Sequence, residues 1–243
     1  MSDVDHLKEA LTSILAVDES EAEDEKKKYQ QGLSEILAKL TTASELQSAL
    51  DVVLQSSTKD TSLGLLKRVQ FFSDIHLIAS KDAKLTAYIC NLKLSNFEEI
   101  ARQIYFSPRI TPDVSDETLQ TFRSYLFQNQ PIAVFLGLIE GGSIKIGPSE
   151  VKANVVAILS SAMNDGFDLS RDSTRVLFKQ ITFPESVSSK TRNGVIDAIK
   201  QIQRLQALVR EPEHVGLLIK ADYSSASSIA NTELATFQEE MEE

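Results

Sequence analysis

Between Pro131 and Asn164 the chain carries two apolar segments joined by a short glycine-rich stretch, and this arrangement limits its possible folds more than any other. The run Pro131-Ile-Ala-Val-Phe-Leu-Gly-Leu-Ile139 meets Gly141-Gly142, and Pro148-Ser-Glu150 opens a second run that ends at Ile158-Leu159. Proline suits the first position of a helix, where its missing N–H has no partner to lose, and glycine suits the residues just past a helix end. The spacing therefore predicts two helices packed across a turn. Such a pair leaves apolar faces uncovered, so it predicts further helices stacked on either side around a continuous core. Val156 is expected to lie in that core.

The remainder of the chain supports helices. Six prolines and nine glycines in 243 residues are too few for the frequent turns of a strand-rich sandwich, and a hydrophobic content of 42% is enough for a substantial core. Val4, Leu7, Leu11, Ile14 and Leu15 recur at helical spacing, with Ser2 or Asp3 placed to cap. Thr42-Ala-Ser-Glu45 has the form of a capping box, in which each side chain satisfies the other residue's backbone N–H. Leu63 to Ile78 carries apolar residues on more than one face, which predicts a central buried helix or one broken near Ser73-Asp74. The longest periodic segment places Val195, Ile199, Ile202, Leu205 and Val209 on one stripe and is expected to run toward Pro212; His214 to Lys220 fits a short helix or a lone strand. The charged block Asp18 to Lys28 reads as a flexible connection that becomes the solvated start of the next helix, and Pro108 to Asp113 as a hinge. The expected organisation is a helical region over 1–107, a second over 113–222 packed on it as one elongated array, and a flexible acidic tail over 223–243.

Charge and residue types then restrict the chemistry. A formal net charge of −10 opposes nonspecific nucleic-acid binding, which requires cations to neutralise phosphates. The single cysteine, Cys90, lies in an apolar helical segment and reads as a core thiol in a reducing compartment, cytoplasmic or nuclear. Met1-Ser-Asp-Val-Asp-His lacks the basic and apolar regions of a signal peptide, and no stretch approaches about 18 uninterrupted apolar residues, so no membrane insertion is expected. His6, His76 and His214 are too scattered to suggest a metal site, and no catalytic residue, cofactor or small-molecule substrate is inferred. The loop Gly141-Gly-Ser-Ile-Lys-Ile-Gly147 departs from the phosphate-binding pattern of glycine followed by Lys-Ser or Lys-Thr, and reads as an inter-helix joint.

Two features point to partners. Lys190, Arg192, Lys200, Arg204 and Arg210 form the main basic concentration, on or near the longest helix, and are candidates for docking an acidic partner or a phosphate-bearing ligand. Near the end of the chain, Ile229, Leu234, Phe237 and Met241 recur as one amphipathic face, with Phe237 and Met241 as candidate contacts. The pair around Pro131 also carries a resemblance. Pro131 to Ile139 resembles the third helix of an armadillo unit, while Val151, Ala153, Val156, Ile158 and Leu159 resemble the first helix of the next. The resemblance implies an all-α, irregular armadillo/HEAT-like right-handed helical stack that binds other proteins through a curved surface. The expected function is a non-enzymatic scaffold, adaptor or assembly chaperone. The alternatives are a subunit of a large helical complex, PCI-like with a small winged-helix-like end near Ile181 to Tyr223, and an all-helical enzyme.

Overall fold

The computed structural model describes residues 2–16, 23–55, 63–106 and 114–242, except for the side chains at 52, 53, 55 and 242. Within these residues the chain is all-helical, with fourteen α-helices and no strand. The hinge expected from Pro108 to Asp113 and most of the acidic connection from Asp18 lie outside the described residues; Glu23 to Glu25 already belong to a helix. Two compact units are present, one comprising 1–96 and 110–125 and the other 97–109 and 126–243.

The first unit begins with α1 (Asp3–Ile14), α2 (Glu23–Lys39), a 3-10 turn at Ala43–Glu45, α3 (Leu46–Gln55), α4 (Leu63–Ile78) and α5 (Ala83–Asn91). Ser2 caps α1, accepting from the Asp5 amide while its own amide donates to the Asp5 carboxylate. At the turn, Glu45 Oε2 accepts from the Thr42 amide at 3.0 Å, completing the expected capping box. α1 lies along α5, where Ser13 Oγ donates to the Cys90 carbonyl at 3.2 Å and Asn91 Nδ2 to Glu9 Oε1 at 3.0 Å. α2 packs on α3, α3 on α4 and α4 on α5. Leu7, Leu11, Ile36, Leu50, Val69, Phe72, Ile75 and Leu85 fill the interior. α4 is unbroken at Ser73-Asp74, and it is not buried all round: Leu63 and Leu77 are 68% and 65% exposed.

The second unit contains α6 (Phe97–Phe106), α8 (Pro131–Glu140), α9 (Ser149–Asn164), α10 (Thr174–Gln180), α11 (Ser189–Gln206), α12 (Glu213–Lys220), α13 (Ala226–Ala230) and α14 (Leu234–Glu242). The intervening α7 (Asp116–Asn129) belongs to the first unit through Tyr125 and to the second from Leu126. Every residue of α8 from Pro131 to Ile139 is buried, with Pro131 at its first position as expected. α6 and α9 both cover it, and α11 packs on α9 and α12 on α11. The α6 contact is unusually close, because a Cβ on Gly137 would stand 2.3 Å from the Arg102 carbonyl oxygen. Beside that crossing Arg102 donates from Nε to Glu140 Oε2 at 2.6 Å and from Nη2 to Glu140 Oε1.

On α9 the buried set is Val151, Val155, Leu159 and Ala162; Val156 is only half-buried and Ala153 is exposed. The expected inward position of Val156 is thus one residue out of phase. Successive steps of four from Val151 reach Val155 and Leu159, and this stripe is the one that meets α8 and α11.

Candidate functional site

The sequence-predicted basic residues divide among three environments. Lys190, Lys200 and Arg204 share one outward stripe of α11 with Asn193 and Asp197, since positions 190, 193, 197, 200 and 204 recur at helical spacing. The opposite stripe of Val195, Ile199, Ile202 and Leu205 faces the core. Arg192 turns back, donating from Nε to the Val187 carbonyl at 2.9 Å and from Nη2 to the Pro184 carbonyl at 3.1 Å, with its guanidinium 5.9 Å from the Phe183 ring centroid. Arg210 stands apart, on an open apolar groove with a volume of about 730 Å³. Phe237 and Met241 line the same groove, so Arg210, Phe237 and Met241 come together from distant parts of the sequence.

The groove follows from where three helices stop. α11 ends at Gln206, well short of Pro212, so Leu208 and Val209 leave the helix stripe and enter the groove. Pro212 instead occupies the cap of α12, and His214 to Lys220 is helical. At the far end of α12 the backbone of Asp222 turns left-handed, with φ +62°, and the Tyr223 amide donates back to the Leu218 carbonyl at 2.9 Å. Beyond this reversal, α13 and α14 contribute to the same groove as α12. Over 223–242, where composition suggests a flexible tail, the described chain contains these two short helices. The anticipated single face is divided by the turn between them. Ile229, Phe237 and Met241 line the groove, while Leu234 is 71% exposed.

Tyr223 fastens the far wall. Its side chain is buried, its hydroxyl donates to Glu240 Oε2 at 2.5 Å, and its ring centroid is 5.5 Å from that of Phe237. The hydrogen bond to the Glu240 carboxylate raises the tyrosine pKa above its ordinary value. From the other side, Gln201 Nε2 donates to the Tyr223 carbonyl at 2.7 Å, linking α11 to the start of the α13–α14 segment. Leu208 and Leu217 remain 46% and 39% exposed in the groove. These two residues, and His214, were missed by the sequence reading. The apolar pair Leu208-Val209, three residues ahead of Pro212, was a usable signal, but it also continues the α11 stripe.

Other candidates have plainer environments. Burial pushes the Cys90 thiol up to about 12, which keeps it protonated at neutral pH. His76 Nδ1 lies 3.0 Å from Thr86 Oγ1; because that hydroxyl donates to the Asp82 carbonyl at 2.6 Å, the ring nitrogen is the donor. Lys145 in the glycine-rich loop is exposed, whereas Ile144 and Ile146 are buried, and the Ile144 amide donates to the Leu138 carbonyl at 3.0 Å, closing the end of α8. Among the described residues no group of three or more His, Cys, Asp or Glu is placed to hold a metal ion, and no helix is long and apolar enough to cross a membrane. A second cleft, about 560 Å³, lies between α9 and the segment around Ile181 to Pro184, with Asp165 and Asp172 among its lining residues. Ile181 to Tyr223, where one alternative places a winged-helix-like end, contains α11 and α12 and no strand.

Comparison of the chain with protein-family models, with curated proteins and with solved structures finds no match in any of the three.

Proposed function

We propose that this chain is a non-enzymatic protein-binding scaffold, adaptor or assembly chaperone of the cytoplasm or nucleus, with helices stacked in an armadillo/HEAT-like manner. The observation that carries the reading is the open groove beside α12. A groove lined mainly by apolar side chains, with Arg210, Glu211 and His214 as its charged or titratable members, is the usual receptor for an apolar stripe of another protein. Leaving Leu208 and Leu217 in water gains nothing for the isolated chain. The order of packing in the second unit supports the stacked arrangement, since α8, α9, α11 and α12 each lie on the preceding member of that series. The stripe of exposed Lys190 and Arg204 with half-buried Lys200 supplies a second, polar surface that steers acidic partners.

The test is affinity purification of the tagged full chain from cells, followed by mass spectrometry. A scaffold or adaptor returns a small set of proteins at fixed stoichiometry. A chain recovered alone under gentle lysis overturns the reading.

A further inference from the structure

We propose that the groove beside α12 binds one amphipathic helix of a partner protein, a helix with three apolar anchors and a carboxylate placed next to them for Arg210. This inference rests on the protein-binding reading and specifies the partner's chemistry.

The form of the site gives the first part. The groove is open along its length and about 730 Å³ in volume, too large for one side chain and too exposed to enclose a small molecule. Helices dock into such grooves through residues at i, i+3 or i+4, and i+7. Leu208 and Leu217, partly exposed on one wall, and Phe237 and Met241 on the other, provide surfaces for such a row.

Charge gives the second part. Three charged or titratable side chains line the groove: Arg210, Glu211 and His214. Glu211 and His214 lie 3.6 Å apart and pair with each other when the histidine is protonated. Arg210 has no hydrogen bond or ion pair with a described residue, so its guanidinium is open to a carboxylate, to which it can donate two parallel hydrogen bonds. α14 carries Glu239 and Glu240, which disfavour a second carboxylate on that wall. The partner's acid therefore belongs on the Arg210 side, and this fixes the rotation of the docked helix about its own axis. A second copy of this chain is a poorer occupant. The chain's own acidic amphipathic helix, α14, is already engaged through Phe237 and Glu240.

The experiment uses the full chain and two labelled amphipathic peptides of about 18 residues, identical in their leucine anchors and flanked by glutamates in one and lysines in the other. Fluorescence anisotropy is expected to show saturable binding of the glutamate peptide and at least tenfold weaker binding of the lysine peptide. Arg210→Glu reverses that order, and Leu217→Glu abolishes binding of both while leaving the circular dichroism melt unchanged. If Leu217→Glu fails to fold, the reversal by Arg210→Glu decides alone. No saturable binding, equal binding of the two peptides, or an order unchanged in Arg210→Glu overturns the proposal. So does a wild-type chain that sediments as a dimer and becomes a monomer on Leu217→Glu, because the occupant is then a second copy. Partners recovered equally by wild type and Leu217→Glu overturn the groove assignment and leave the scaffold reading intact; a wild-type chain with no partner removes both.

Discussion

At Gly137 the absence of one carbon sets how closely two helices approach. The α6 backbone lies where a side chain would begin: a Cβ added at this position would meet the Arg102 carbonyl oxygen at 2.3 Å and the Phe106 amide nitrogen at 3.0 Å. Backbone cannot rotate aside as a side chain can, so Gly137→Ala must push α6 and α8 apart. Overpacking of this kind costs about 1–3 kcal/mol, and here the upper end is expected as a lowered urea midpoint. Gly142 is the internal comparison. Its φ of +84° favours glycine, but nothing stands within 4 Å of the added carbon, so Gly142→Ala costs about 1–2 kcal/mol from backbone conformation alone. Equal midpoints for the two variants would refute the close α6–α8 contact. The phase of α9 is testable in the same way. Val155 is 0% exposed, and Val155→Asp buries an unpaired carboxylate, at a cost of about 4 kcal/mol or more, enough to abolish cooperative unfolding in a marginally stable fold. Val156→Asp, at a half-buried position, is expected to cost about 1 kcal/mol and to retain the transition.

Among the elements, α14 depends on very few contacts, and Tyr223 supplies the clearest of them. The hydroxyl holds Glu240 and the ring meets Phe237, while the remainder of α14 is largely exposed. Removing only the hydroxyl, in Tyr223→Phe, is expected to raise amide hydrogen exchange in α14 several-fold and leave the amides of α11 unchanged. Unaltered exchange in α14 would show that Tyr223 does not fasten it. Local signals made many helix ends legible in the sequence. Ser2, the Thr42/Glu45 box and Pro131 all act where their short-range chemistry places them. The groove was not legible in the same way. Phe237 and Met241 were identifiable by helical spacing and Arg210 by charge, but their meeting depends on α11 stopping at Gln206 and on a left-handed Asp222, a conformation that aspartate adopts only occasionally. The outer face of α4 was misjudged for a related reason. Leu63 and Leu77 look like core in a window of sequence, and only the packing of α3 and α5 decides which side is covered.

Across the whole molecule, stability is expected to depend on pH in two separate windows. His76 has a folded-state pKa below its ordinary 6.5, first because burial disfavours the charged ring and then because Lys81 repels it, with Asp82 acting in the opposite direction. The unfolded chain therefore takes up this proton at a higher pH than the folded chain does. Stability from the neutral ring is complete above pH ~7 and falls as the pH drops through the unfolded value toward the folded one. Three carboxylates act lower. Asp5 is held below its ordinary value by the Ser2 amide and hydroxyl, and Glu45 by the Thr41 hydroxyl and the Thr42 amide. At Asp168 burial alone would raise the value, but hydrogen bonds from Ser170 and the charge of Arg171 outweigh it. These groups bind protons less readily when folded, so their contribution is present above pH ~4 and is lost as the pH falls through their folded values. A series of urea midpoints from about pH 8 to about pH 3 should thus decline in two steps. His76→Gln, whose amide can still donate to Thr86, is expected to flatten the upper step and leave the lower one in place. An unchanged upper slope in that variant would assign the near-neutral titration to a group other than His76.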